Sequence, residues 1–184
     1  MQSAQLAIPI TDHDHALGPG NAPVTLLEYG DFECPYCRAA HPILQAVRRK
    51  MGDRLRFVFR HFPLSQAHPH AEHAAEAAEA AGAQGRFWEM HDLLFENQGA
   101  LEDDDLAMYA AKLGLDVQRV AREVASGTYA KKISGDFRGG IRSGVNGTPT
   151  LFINGVRFDG NWTNPAELVE ALNDAATQVH VGAP

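Results

Sequence analysis

The chain carries its two cysteines in one stretch, which reads Glu28-Tyr29-Gly30-Asp31-Phe32-Glu33-Cys34-Pro35-Tyr36-Cys37. The run that leads into it, from Val24 to Tyr29, is short, apolar and β-favouring, and it predicts a buried strand. Beyond the stretch, apolar residues recur at helical spacing to about Met51. Pro35 suits the first helical position because its missing N–H has no partner there anyway. The two cysteines are therefore predicted to lie where a strand passes into a helix.

This position predicts redox chemistry. A cysteine at the start of a helix faces unsatisfied backbone N–H groups and the positive end of the helix dipole, which favour the thiolate. Because the thiolate attacks in disulfide exchange, Cys34 is the expected nucleophile. Cys37 lies about one turn further on the same side of the helix and is the expected resolving thiol. Half of a zinc site is the alternative, but no second CxxC supplies the missing ligands.

The rest of the sequence completes an α/β pattern. Residues 55–62 alternate apolar side chains with arginines and predict a second strand, which gives β-α-β. Residues 65–143 show apolar positions at helical spacing and predict an inserted all-helical subdomain. Residues 150–158, with the type I′ turn signal Asn154-Gly155, predict a β-hairpin, and Asn164 is the expected N-cap of a last helix.

These patterns also predict the domain organisation. We expect residues 1–22 to be an irregular lead-in because they contain several prolines and glycines and no sustained periodicity. Residues 23–64 and 144–178 are then expected to form one α/β domain, interrupted by the helical insertion at 65–143.

Composition excludes several classes of function. The formal net charge of -7 would repel phosphate backbones and anionic lipids, so we expect no nucleic-acid binding. No apolar run approaches the roughly 18 residues of a membrane span, so we expect a soluble protein without membrane insertion. The N-terminus lacks the basic region of a secretory signal, which predicts a cytoplasmic location; if a leader was removed, the location would be periplasmic or extracytoplasmic.

The cysteine stretch and a second motif, Gly147-Thr148-Pro149-Thr150, resemble those of bacterial DsbA-like thiol-disulfide oxidoreductases of the thioredoxin superfamily. The resemblance covers about residues 12–175 and implies a thioredoxin fold with a helical insertion. It also implies that Thr148-Pro149 is a cis peptide bond whose Thr148 backbone pairs with a substrate segment. The acid at Glu28 is expected to relay a proton to or from Cys37, which requires that Glu28 be buried.

The chain departs from the DsbA type example in two ways. Tyr36 stands where that protein has histidine, so a potential cation beside the thiolate is missing. Asp31 and Glu33 add negative charge near Cys34, which disfavours its thiolate. We therefore expect a milder oxidant than DsbA, with a potential of roughly -230 to -180 mV.

Several other polar and aromatic residues are not predicted to belong to the site. Three histidines (His68, His70 and His73) and three acids (Asp103, Asp104 and Asp105) are expected to be solvated helix starts rather than metal sites. Helical spacing makes Phe87, Trp88 and Phe95 core residues by default, and His61 and His91 are not assigned to the site.

The function expected is exchange of disulfides with protein or peptide substrates, assisted by an unidentified redox recycling partner. Pro35, Tyr36, Thr148 and Pro149 are the expected motif and substrate-binding residues. Two alternatives stay open: a glutathione-dependent oxidoreductase, and a peptide-binding or chaperone module whose thiols are incidental. We expect no metal and no cofactor other than the redox-active disulfide, with glutathione as a co-substrate in the first alternative. A monomer is the default expectation.

Overall fold

The computed structural model describes residues 4–181, and for residues 179–181 it describes the backbone alone. Its strands are β1 (His15–Leu17), β2 (Val24–Gly30), β3 (Leu55–His61), β4 (Thr150–Ile153) and β5 (Val156–Arg157). Its helices are α1 (Pro35–Met51), α2 (Ala71–Gly82), α3 (Phe87–Glu96), α4 (Asp103–Lys112), α5 (Val117–Ser126), α6 (Ala130–Arg142) and α7 (Pro165–Val181). The predicted order of β-α-β, helices, β-hairpin and last helix is confirmed.

The five strands form one sheet in the order β1-β3-β2-β4-β5. β2 pairs with β4 antiparallel, with Tyr29 opposite Thr150, and β1 pairs with β3 antiparallel, with Ala16 opposite Val58. Both β2 and β3 are buried along nearly their whole length. A strand covered on both faces reads as a continuous apolar run, which explains the sequence of β2.

The chain divides into two compact units. The first unit comprises Met1–Tyr29, Ala39–Arg60 and Gly139–Pro184; the second comprises Gly30–Arg38 and His61–Arg138. The second unit therefore contains the cysteine stretch from Gly30 onward together with most of the segment predicted to be a helical insertion.

Helix α2 is the packing centre of the second unit. It contacts α3, α4 and α5, and alanines account for most of its buried positions. Small side chains allow neighbouring helices to approach closely, which explains why an alanine-rich helix lies among three others. Its two buried acids are held by partners: Glu79 lies 2.8 Å from His61 Nε2, and Glu76 accepts a hydrogen bond from the Tyr129 backbone N–H at 2.8 Å.

The first unit corrects the expectation for residues 1–22. The structure has a short strand there, β1, and Leu6 N–H donates to Gly155 O at 2.7 Å. The first three residues of the predicted lead-in lie outside the described residues. β1 was missed because three residues carry no readable alternation, and their pairing depends on β3, about forty positions later.

The position of Arg60 differs from the one that the alternating pattern of β3 predicts. The pattern puts Arg60 on a polar outer face, but it is only 3% exposed. Its guanidinium donates two hydrogen bonds to Asp14, at 2.7 and 2.9 Å, and further ones to Ile8 O and Pro9 O. The lead-in thus covers this face of β3, so the arginine is buried with a partner rather than solvated.

The C-terminal part of the first unit follows the sequence signals closely. Asn154 and Gly155 have φ values of 47° and 82°, the left-handed conformations that a type I′ turn requires. Asn164 Oδ1 accepts the Ala166 N–H at 3.1 Å and caps α7. α7 continues three residues past the predicted boundary at Gln178. Across residues 4–181, no helix is both long enough and apolar enough to cross a membrane.

Candidate active site

The two cysteines lie in the second unit, at the junction the sequence predicts. β2 ends at Gly30 and α1 begins at Pro35, so Cys34 is the residue just ahead of the helix. The Cys34 carbonyl accepts the Arg38 N–H at 3.1 Å, the first hydrogen bond of that helix. Cys34 is 3% exposed and Cys37 is 0% exposed. Both thiols are therefore largely shielded from water at the positive end of a helix.

Asp31 organises the turn that carries the cysteines. Its backbone C=O accepts the Cys34 N–H at 3.1 Å, and its backbone N–H lies 3.5 Å from Cys37 Sγ, to which it donates a hydrogen bond. Its carboxylate accepts the N–H groups of Glu33 at 2.8 Å and Leu64 at 2.9 Å. A buried carboxylate needs such donors, and these hydrogen bonds fix the backbone around both sulfur atoms.

Gln98, which lies just after α3, also binds the turn that carries the cysteines. Its side-chain amide donates to Phe32 O at 2.7 Å and to Cys34 O at 2.8 Å. Sequence reasoning missed Gln98, because a lone glutamine 64 positions from Cys34 carries no motif. Phe32 itself packs in a buried aromatic cluster with Phe95 and His91, at ring distances of 4.9 and 5.6 Å.

The two acids near Cys34, Asp31 and Glu33, both have hydrogen-bond partners. Glu33 Oε2 accepts the His70 backbone N–H at 2.6 Å, and Asp31 Oδ2 lies 2.7 Å from His68 Nδ1. Burial alone would lower the pKa of His68, but the hydrogen bond to Asp31 and the negative charges of Asp31, Cys34 and Glu33 raise it above its usual value. The raised pKa favours the protonated form of His68 beside the cysteine turn, although this residue lies outside the CxxC motif.

The residues between the cysteines are exposed. Tyr36 is 66% exposed, the highest value among the large hydrophobic residues of the described chain. Its ring extends into solvent from the first turn of α1, while Cys34 and Cys37 on either side are buried. An exposed aromatic ring offers apolar contact area to another polypeptide.

Three predicted site residues lie in the first unit. Glu28 is 2% exposed and lies on β2 opposite Leu151. This burial excludes the alternative that Glu28 is a solvated acid at a strand edge, and it meets the requirement for a proton relay. The Thr148-Pro149 peptide bond is cis, and Thr148 is 9% exposed. The remaining predicted residues, Cys34, Pro35, Tyr36 and Cys37, belong to the second unit.

Most of the residues that the sequence leaves outside the site lie as expected, but Trp88, predicted to be a core residue, is only half-buried. His73 pairs with Asp103 on the surface, at 2.6 Å. Phe87 and Phe95 are buried core side chains, as are His61 and His91. His68 is a further exception, because its side chain pairs with Asp31, in the turn that carries the cysteines. No spacing signal connects two residues 37 positions apart, so this pairing required the structure.

Solved structures confirm the fold class. BdbD from Bacillus subtilis superposes with a TM-score of 0.82 at 23% identity, covering 96% of this chain and 98% of BdbD. A thioredoxin-like oxidoreductase from Silicibacter pomeroyi gives 0.78 at 25% identity, covering 94% and 95%. α-DsbA1 from Wolbachia pipientis gives 0.80 at 20% identity, covering 96% and 96%. These matches confirm a thioredoxin fold with the helical insertion of DsbA-type proteins.

Sequence comparison identifies the family. The Na⁺/H⁺ antiporter NhaA 1 of Salinispora arenicola is 49% identical over 180 residues, which are 96% of this chain and 26% of that protein. The chain thus spans about a quarter of the length of the curated relatives it matches. A family model described as thioredoxin matches residues 11–174, nearly the whole chain. With the CxxC turn ahead of α1 and the matching fold, this shows that the chain belongs to the thioredoxin family and resembles its DsbA-like members.

Proposed function

We propose that this protein is a thiol-disulfide oxidoreductase that exchanges disulfides with protein or peptide substrates through Cys34 and Cys37. The observation that carries the proposal is the position of the pair: Cys34 directly precedes α1 and Cys37 follows within its first turn. The helix dipole favours a thiolate at Cys34, and the thiolate is the species that attacks a disulfide.

In the reductive direction, Cys34 Sγ as a thiolate attacks one sulfur of a substrate disulfide. A mixed disulfide forms, and the other substrate sulfur leaves as a thiolate that takes a proton. Cys37 then loses its proton and attacks Cys34, which releases the second substrate sulfur. Two electrons pass from the cysteine pair to the substrate, which becomes a dithiol, while the pair becomes a disulfide. The same steps in reverse oxidise a substrate dithiol.

Other residues have proposed roles around this exchange. Glu28 is the acid that we propose relays the Cys37 proton, and its burial supports that role. Tyr36 offers an exposed aromatic contact for the substrate next to Pro35. Thr148, ahead of the cis Pro149, is the proposed backbone partner of an extended substrate segment. No group beyond the two sulfur atoms is needed to carry the electrons, so we propose that no metal or other cofactor takes part.

The direction in the cell depends on the compartment and the recycling partner. The cytoplasmic location stays a prediction; there, thiols are kept reduced, and the protein would act as a reductase. An oxidising compartment would favour the reverse reaction. For either direction we propose a potential in the roughly -230 to -180 mV range between glutaredoxins and disulfide isomerase.

The test is a comparison of single cysteine variants. Cys34→Ser is expected to abolish insulin reduction and refolding of a reduced disulfide protein. Cys37→Ser is expected to accumulate a mixed disulfide with the substrate, because the resolving thiol is missing. Turnover with glutathione alone would instead support the glutathione-dependent alternative. Full activity of Cys34→Ser in suppressing aggregation, with no exchange by the unaltered protein, would support the chaperone alternative.

The antiporter relatives favour a second candidate function. Nearly the whole chain matches a quarter of a Na⁺/H⁺ antiporter, so we infer that the exchange reaction acts on cysteines of a protein that transports Na⁺ and H⁺. Cys37→Ser protein, incubated with membranes that contain such an antiporter, is expected to form a mixed disulfide with it. If insulin is trapped under the same conditions and the antiporter is not, this second function is wrong.

A further inference from the structure

Asp31 connects a histidine to both cysteines, through the backbone N–H of Cys34 and through Sγ of Cys37. Its C=O accepts the Cys34 N–H and its N–H donates to Cys37 Sγ. Its carboxylate is fully buried, and Oδ2 lies 2.7 Å from His68 Nδ1. The His68 ring is 17% exposed, so the ion pair is only slightly open to water. A negative charge in the turn that carries both cysteines opposes a thiolate unless a positive charge balances it.

We propose that His68 is a positioning residue of the exchange reaction: paired with Asp31, it balances that buried carboxylate and so stabilises the Cys34 thiolate. This inference rests on the proposed function. His68 supplies the positive charge beside the thiolate that the CxxC motif lacks, because Tyr36 stands there in the place of a histidine. Among the described residues, the charged and titratable groups that act most strongly on His68 are Asp31, Glu33 and Cys34, all in the turn ahead of α1.

The backbone around His68 supports this role. His68 N–H donates to Leu64 O at 2.9 Å, and Leu64 N–H donates to Asp31 Oδ2 at 2.9 Å. The segment that carries the histidine is therefore bound to the same carboxylate twice, through its main chain at Leu64 and through the imidazole. Such double attachment fixes the ring relative to the cysteine turn.

His68 is also the group that accepts one proton of the exchange reaction. When a substrate dithiol reduces the Cys34–Cys37 disulfide, two electrons enter the pair and the substrate gives up two protons. One proton binds Cys37, which becomes a thiol. Cys34 remains a thiolate, so the second proton is released. At a pH where His68 is still neutral in the oxidised protein, His68 takes up this proton. The negative charge that appears on Cys34 and the positive charge on His68 therefore stabilise each other.

The test measures the thiolate of Cys34 directly, by ultraviolet absorbance during a pH titration of the reduced protein. His68→Asn is expected to raise the midpoint by about one pH unit, the effect of losing one nearby positive charge. The matched control is His73→Asn, which removes a histidine five positions away that pairs with the exposed Asp103. An unchanged midpoint in His68→Asn, or an equal shift in the control, overturns the inference.

Two further measurements separate charge balance from a structural role. In the Asp31→Asn background, His68→Asn is expected to shift the midpoint less, because the carboxylate that needed balancing is gone. By NMR, the His68 ring is expected to titrate at higher pH in the reduced protein than in the oxidised one; equal titration in both overturns the inference even if His68→Asn fails to fold.

The titration needs no substrate, so the two hypotheses fail separately. A midpoint shift in a protein that neither reduces insulin nor refolds a reduced protein refutes the proposed function and upholds His68 as the counter-charge of Cys34. An unchanged midpoint in a protein that does reduce insulin overturns the inference and leaves the proposed function standing.

Discussion

Replacing Arg60 by alanine tests how the N-terminal residues are joined to the sheet. The Arg60 guanidinium donates to both oxygens of Asp14, to Ile8 O, to Pro9 O and to the Tyr29 hydroxyl. The side chains of Arg60 and Asp14 are 4% and 6% exposed. Arg60→Ala would leave the carboxylate of Asp14 buried without its positive partner, together with two carbonyl groups that lose their donor.

Removal of one member of a buried ion pair costs about 3 to 5 kcal/mol of unfolding free energy. At about 2 to 4 °C of melting temperature per kcal/mol for a chain of this size, Arg60→Ala is expected to lower Tm by about 6 to 20 °C. The assay is urea and thermal unfolding followed by circular dichroism. Arg56→Ala, on the same strand but half-buried, is the matched control and is expected to cost about 0.5 kcal/mol.

The double replacement Arg60→Met with Asp14→Leu is expected to recover much of the loss, because it removes both charges and leaves neither buried alone. If Arg60→Ala costs less than about 1 kcal/mol, or no more than Arg56→Ala, the ion pair does not hold the N-terminal residues on β3 and the reasoning is wrong.

Two more predictions concern a glycine and a histidine. Gly18 has φ +90°, and a Cβ there would meet Leu55 O, so Gly18→Ala is expected to cost at least about 2 kcal/mol in urea unfolding. Gly20→Ala, where a Cβ meets nothing within 4 Å, is the control and should be near neutral. The raised pKa of His68 means that its stabilising effect is complete below the unfolded value, about 6.5, and is lost as pH rises through the higher folded value; an unfolding free-energy difference between wild type and His68→Asn that grows with pH would contradict this.

Local signals in the sequence predict the elements of the fold that depend on neighbouring residues. Examples are the strand-to-helix junction at Cys34, the turn at Asn154-Gly155 and the N-cap at Asn164. Each depends on a local backbone conformation or hydrogen bond that only a few residue types can provide. The family resemblance adds the cis Pro149, which no local rule favours strongly.

Features that depend on distant parts of the chain could not be predicted in this way. β1 exists because β3 pairs with it, and Arg60 is buried because residues 8–14 supply its partners. Gln98 and His68 act on the cysteine turn from 64 and 37 positions away. The sequence predicts that Asp31 and Glu33 are unbalanced negative charges near Cys34. In the structure, each of these carboxylates has a hydrogen-bond donor.

Thiol-disulfide exchange through Cys34 and Cys37 can be tested by an equilibrium titration of the pair in glutathione redox buffers, with each state quantified by thiol alkylation and mass spectrometry. We predict one reversible two-electron transition with a midpoint of roughly -230 to -180 mV, which is lost in both single cysteine variants. The absence of a reversible Cys34–Cys37 disulfide would contradict thiol-disulfide exchange through this pair. A midpoint near about -120 mV would contradict the milder oxidant that Tyr36, in the place of a histidine, predicts.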